Sequence, residues 1–191
     1  MRLLKNYIII LTIILSIPGS SFTQWYYSLY VEEEFNDNPF GIPDPQSDQI
    51  TRISMGLQKQ WESVDAQYYG SFVNFLRNSD RNFYWHQFFV GGGEETSWNL
   101  SLENRINRVD YNLYDYFTGR LGITHSIQQE SGLWRLNGSF SLNNFSQIPE
   151  LNNVFLSAYA SYNRSFQTRT SFIGTLSLNY KYYLEKDIAA V

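Results

Sequence analysis

In the stretch WRLNGSFSLNN, residues 134–144, apolar or small side chains alternate with polar ones from Trp134 to Asn143. Trp134, Leu136 and Phe140 occupy one set of alternate positions, and Arg135 and Asn137 occupy the other. Successive side chains of a β-strand point to opposite faces of a sheet, so this period of two predicts a strand with one apolar and one polar face.

The same alternation recurs along residues 24–184 in segments of about ten residues, and no amphipathic helix is predicted there. The predicted strands span residues 25–33, 50–61, 64–77, 83–90, 97–107, 116–128, 133–143, 153–163 and 169–184. Their connections alternate between short ones, such as 62–63 and 91–95, and generally longer ones, such as 34–49 and 108–115. The pattern predicts an all-β, antiparallel, up-and-down fold in one domain, residues 24–191.

The first 23 residues resemble a secretory signal peptide. Arg2 and Lys5 precede an apolar run at residues 7–17, and the small residues PGSSFT follow at 18–23. The alternative is a transmembrane anchor, but this run is shorter than the roughly 20 apolar residues that a spanning helix needs. We therefore expect residues 1–23 to be a cleaved signal for Sec export.

The amino-acid composition indicates the cellular compartment in which the protein belongs. Aromatic residues make up 18% of the chain, charged residues 17%, and cysteine is absent. A secreted eukaryotic domain of this size usually carries disulfides, so a bacterial cell envelope is the better match. The net charge of −4 argues against a nucleic-acid partner.

With these features the chain resembles the bacterial outer-membrane β-barrel proteins over residues 24–184. The resemblance rests on the signal peptide, the alternation, the unequal connections and the aromatic residues, and it indicates an architecture rather than one family. It implies a transmembrane barrel of about 8 to 10 strands in the outer membrane, surrounded by outer-membrane lipid. It also implies the barrel-assembly machinery as a partner during biogenesis.

Tryptophan placement adds to this resemblance. Trp25, Trp61, Trp98 and Trp134 fall at the short-turn ends of their strands, and Trp85 lies nearer the other end. Indole rings favour the headgroup level of a membrane, so these four residues are predicted to form an aromatic girdle. The alternative is that tryptophan packs at strand ends, as it does in a soluble sandwich.

Two features depart from the barrel pattern. Nine strands are predicted where a bacterial single-chain barrel has an even number, and residues 185–191 do not end a strand on an aromatic residue. A strand is therefore missed or split near residues 107–116, or the sequence is the N-terminal part of a longer barrel. The second explanation is the one we favour.

Catalytic and metal sites are not indicated. The histidines are His86, predicted to face inward, and His125, predicted on an apolar face with Ser126 pointing the opposite way. Adjacent strand residues cannot form a catalytic pair. The acidic stretch at residues 32–38 lacks the Gly and final Glu of a calcium loop, and no cofactor site is predicted.

The residues that determine function are expected on the polar face, which would line the lumen of a barrel. The residues predicted to line the lumen are Arg52, Glu103, Arg105, Arg120, Arg135 and Lys181. In a narrow barrel these charges pair with acids, whereas in a wider one the arginines line an anion-selective channel. We expect a non-enzymatic structural, surface-binding or solute-conducting barrel. The alternatives are an outer-membrane lipid hydrolase and a soluble secreted β-sandwich that binds carbohydrate.

Overall fold

The computed structural model describes residues 24–41, 43, 46–130 and 132–185. The predicted signal peptide, residues 1–23, lies outside the described residues. Nine strands form, and residues 134–144 lie within the seventh. Their bounds are β1 Trp25–Asn36, β2 Asp48–Gln60, β3 Val64–Phe75, β4 Phe83–Gly92, β5 Thr96–Asn107, β6 Tyr116–Gln129, β7 Gly132–Phe145, β8 Asn153–Ser165 and β9 Ser171–Tyr183.

The strands form one sheet in the order β1 to β9, and each strand is antiparallel to the next. The predicted antiparallel, up-and-down arrangement is confirmed. Connections of two to five residues lie at one end of the sheet, here called the turn end. Connections of seven to eleven residues lie at the other, the loop end.

The strand register places the apolar residues of neighbouring strands on the same face of the sheet. Leu136 pairs with Ala160, which pairs with Leu176, whereas Asn137 pairs with Tyr159. The face that carries Leu136 is called the apolar face, and the face that carries Asn137 is called the polar face. Both faces continue across all nine strands, since paired residues of neighbouring strands point to the same side.

Burial is inverted relative to a water-soluble protein. In the described part of the chain, the buried hydrophobic residues are Ile50, Ala66 and Val73 alone. Polar-face serines are buried, including Ser54 at 2% and Ser141 at 5% exposure, whereas apolar side chains stand exposed on the other face. On the inner strands, most buried residues therefore lie on the polar face, whereas the edge strands β1 and β9 are exposed on both faces.

The predicted closed barrel is not formed by the described residues, because β1 and β9 each pair with one neighbour. With strict alternation of direction, β1 and β9 run the same way, and pairing them would require a parallel ladder. Antiparallel closure of these nine strands requires a further strand that runs opposite to both.

The suggestion of a missed strand near residues 107–116 is wrong. A kinked 3-10 segment, Val109–Tyr114, connects β5 to β6 there. The Asp115 carboxylate accepts the backbone N–H of Asn107 at 2.6 Å and its side-chain amide at 2.9 Å. These bonds hold the two strand ends together directly.

Candidate functional site

All six residues predicted to line a lumen lie on the polar face. They are Arg52 on β2, Glu103 and Arg105 on β5, Arg120 on β6, Arg135 on β7 and Lys181 on β9. The register places Arg120 and Lys181 in one row across the sheet, through Ser141 and Phe155. The structure thus brings onto one surface residues that are up to 129 positions apart in sequence.

The positively charged side chains of the polar face differ in their contacts. Arg52 forms an ion pair with Glu32 across β1 and β2, with 2.9 Å between Nη1 and Oε2. The Arg105 guanidinium lies 3.8 Å from the centre of the Phe83 ring. Arg120 and Arg135 are exposed, and within the described residues neither makes a side-chain ion pair or hydrogen bond.

Charge is unevenly distributed over the polar face. The acids Glu32, Glu34, Asp48, Asp65 and Glu103 all lie on β1 to β5. The described strands β6 to β9 contain no acid, yet they carry Arg120, Arg135 and Lys181 on this face. One half of the surface is therefore mainly acidic and the other half is basic.

Glu103 is the centre of a hydrogen-bonded cluster on β4, β5 and β6. Its Oε2 accepts the Gln87 amide at 3.0 Å, and its Oε1 accepts the Tyr116 hydroxyl in a short hydrogen bond. Both carboxylate oxygens thus have donors. The cluster therefore places a fixed negative charge on the polar face, held in position by two uncharged donors.

Beside this cluster lies a groove of about 460 Å³ on the polar face of β3 to β6. The polar-face residues that line it are Gln67, Tyr69, Gln87, Phe89, Ser101, Glu103, Thr118 and Arg120. Sites for small molecules usually measure about 300–1,000 Å³ and combine a few polar groups with aromatic walls. This groove is the candidate functional site.

The four tryptophans of the predicted girdle all stand at the turn end, where their strands begin or end. Trp25, Trp98 and Trp134 lie on the apolar face, and Trp134 packs against Tyr162 with ring centres 4.6 Å apart. The Lys59 ammonium lies 4.9 Å from the Trp25 ring centre and 5.0 Å from that of Trp61. Trp85 is on the polar face instead.

The sequence predicted the face of one histidine correctly and that of the other wrongly. The expectation that His86 faces inward is wrong: it lies on the apolar face, opposite Gly70 and Asn104. The Tyr68 hydroxyl approaches its Nδ1 at 2.7 Å. His125 is on the apolar face as expected, and its Nδ1 lies 2.7 Å from the Thr96 hydroxyl. Within the described residues, no carboxylate orients the Thr96–His125 pair.

The loop end is organised by a repeated asparagine contact that the sequence analysis missed. The side-chain Oδ1 of Asn82 accepts a hydrogen bond from the Phe75 backbone N–H at 2.7 Å. In the same way, Oδ1 of Asn152 accepts one from the Phe145 backbone N–H at 2.6 Å. Each therefore ties the end of one strand to the start of the next. A shared pattern, Phe-x-x-x-(Ser/Pro)-(Asp/Glu)-x-Asn at residues 75–82 and 145–152, was the available signal.

Further contacts join the loops to one another. The Arg81 guanidinium lies 3.7 Å from the centre of the Phe40 ring and 4.8 Å from that of Tyr111, which belong to two other connections. Asp48 is fully buried, and its carboxylate accepts the backbone N–H groups of Arg77 and Asn78. These contacts join the first three loops, which connect β1 to β2, β3 to β4 and β5 to β6.

Comparison with known proteins gives no match: no family model, curated protein or solved structure is similar to this chain. Among the described residues, no helix is long and apolar enough to cross a membrane. The described histidine and acidic side chains form no group of three or more that could hold a metal ion.

Proposed function

We propose that the chain forms the wall of a transmembrane β-barrel in a bacterial outer membrane. The observation that carries the proposal is the exposed apolar face opposite a packed polar face. On the inner strands, Leu121, Leu136 and Leu156 are 52%, 41% and 46% exposed on one side, whereas Ser54 and Ser71 are 2% and 4% exposed on the other. Hydrocarbon is the surrounding that stabilises such an arrangement.

Exposure on this scale would be costly in water. Burying one leucine or isoleucine side chain is worth about 1.5–3 kcal/mol, and the apolar face carries many of them. A soluble carbohydrate-binding sandwich is less well supported, because a sandwich covers the apolar face of one sheet with a second sheet. The described residues form a single sheet, and its apolar face remains uncovered.

The Trp25, Trp61, Trp98 and Trp134 girdle supports the same orientation, since these side chains stand at one end of the sheet. Lys59 extends between two of them, which matches a lysine that reaches the headgroup level from the edge of an apolar band. In this proposal the turn end faces the periplasm and the loop end faces outward.

The proposed role is non-enzymatic: the interior binds or passes small polar solutes. The exposed, unpaired Arg120 and Arg135 and the groove beside Glu103 support a wet interior over a fully plugged one. An outer-membrane lipid hydrolase is less well supported. A hydrolase needs a nucleophile, a base and a group that orients the base, and the Thr96–His125 pair has no such carboxylate in the described residues.

The experiment that tests the membrane proposal is cell fractionation combined with gel migration. We expect the protein to remain with the outer membrane and, once extracted in detergent, to migrate differently before and after boiling. Closed barrels resist denaturant because every backbone polar group is paired within the sheet. Recovery of the folded protein from periplasm or medium without detergent would contradict the proposal.

A further inference from the structure

We infer that the groove beside Glu103 binds a small organic acid that also carries several hydroxyl groups, of the chemical class of the sugar acids. The inference rests on the proposed function, since a water-filled interior brings such solutes to the polar face. It also adds to that function, because it assigns a ligand class and a recognition residue.

The anionic part of the ligand is assigned from Arg120. This side chain lines the groove, is exposed, and has no ion pair or hydrogen bond within the described residues. Its partners across the sheet are Ser101 and Ser141, both uncharged. A planar guanidinium in such surroundings is suited to bidentate binding of a carboxylate.

The charge of the ligand is limited by Glu103. Thr118, two residues before Arg120 on β6, pairs with Glu103, so a carboxylate stands in the next row of the sheet. That carboxylate is held by Gln87 and Tyr116 and forms no ion pair with Arg120. A dianion such as phosphate would meet this second negative charge, whereas a single carboxylate can be placed on Arg120 away from it.

The hydroxyl groups of the ligand are assigned from the remaining lining. Ser101 places a hydroxyl in the groove that can donate to a hydroxylated solute and accept from it. The Thr118 hydroxyl and the Gln67 amide donate to Asn143 and Asp65, and their oxygens can still accept hydrogen bonds from the solute. Tyr69, which is 36% exposed, and Phe89 supply aromatic surface for the C–H bonds of such a molecule. The volume of about 460 Å³ accommodates a molecule of this class.

The test uses the chain folded in detergent micelles and isothermal titration with sodium glucuronate, glucose, acetate and inorganic phosphate. We expect glucuronate to bind more tightly than each of the other three probes. Arg120→Gln should weaken glucuronate binding about 10- to 100-fold, the usual effect of losing hydrogen bonds between charged groups. Arg120→Lys keeps the positive charge but cannot form the two parallel hydrogen bonds of a guanidinium, so it should retain an intermediate affinity.

The matched control is Arg135→Gln, a change of the same kind on the same face but outside the groove. It should leave glucuronate binding unchanged. Equal losses from the two substitutions would overturn the inference, because they would show a general attraction to a basic surface. Equal affinities for acetate and glucuronate, or no binding to folded protein, would overturn it as well.

Folding is measured separately by the gel shift on boiling, for the wild type and every variant. A protein that shows the shift and inserts into vesicles but does not bind glucuronate contradicts this inference alone. A protein that binds glucuronate but stays soluble without detergent contradicts the membrane proposal. The two failures are thereby distinguished.

Discussion

Replacing Leu156 by arginine is expected to destabilise the folded chain in lipid, whereas Ser157→Arg, one position along β8, should be tolerated. Leu156 is 46% exposed on the apolar face, between Phe140 and Tyr180. Ser157 is on the polar face between Ser139 and Asn179. The two substitutions introduce the same charge on the same strand, and they differ in the face on which it lies.

The expected loss of stability depends on how close residue 156 lies to the middle of the membrane. On β7, the apolar face runs from Trp134 at the turn end to Asn144 at the loop end, about 33 Å at roughly 3.3 Å per residue. A strand tilt of about 40° reduces this to about 25 Å along the membrane normal, the height of an apolar barrel band. Phe140, the partner of Leu156, lies about one residue from the centre of that span. Arginine there costs about 2–4 kcal/mol, which is roughly a 30- to 900-fold change in the unfolding equilibrium.

The assay is equilibrium unfolding in denaturant of protein inserted in phospholipid vesicles, followed by tryptophan fluorescence. Leu156→Ala is the control for loss of the leucine side chain itself, and it should cost much less than Leu156→Arg. In water, an arginine at a half-exposed position would have little effect on stability. Equal free energies of unfolding for Leu156→Arg and Ser157→Arg would refute the assignment of the apolar face to hydrocarbon.

Three further outcomes are expected. With single cysteines, Ser47→Cys at the loop end should react with an impermeant thiol reagent on intact cells and Ser63→Cys at the turn end should not; the opposite result would invert the proposed orientation. In chains that keep one tryptophan, Trp98 should be quenched by lipids brominated near the headgroup more strongly than Trp85, and similar quenching of both would argue against the girdle. Asn152→Ala should lower the free energy of unfolding by about 1 kcal/mol, because the half-buried Phe145 N–H loses its acceptor, whereas Gln147→Ala, exposed in the same loop, should have almost no effect.

The sequence alone determined where the strands lie and which side chains share a face. Alternation is a local property with a period of two, and it is visible in any ten-residue segment such as 134–144. The placement of Arg120 and Arg135 on one face followed from that parity without knowledge of strand pairing. The position of Trp98 and Trp134 at the turn end followed equally from the short connections beside them.

Assigning a residue to a face from its odd or even position was unreliable where apolar and polar residues do not alternate. Residues 83–89, FYWHQFF, are nearly all aromatic, so local sequence did not decide to which face His86 belongs. Its position was decided by pairing with Gly70 and Asn104, sixteen and eighteen residues away. The open edges at β1 and β9 likewise depend on the number and direction of all the strands.

The tertiary structure also decided which polar groups meet. Glu103 contacts Gln87 and Tyr116 from its two neighbouring strands, and these lie sixteen and thirteen residues away in the chain. Such contacts are set by strand register, which depends on the pairing of whole strands rather than on any short motif. The charges of the polar face were therefore predictable from sequence, but only the folded sheet leaves Arg120 unpaired and Glu103 satisfied beside one groove.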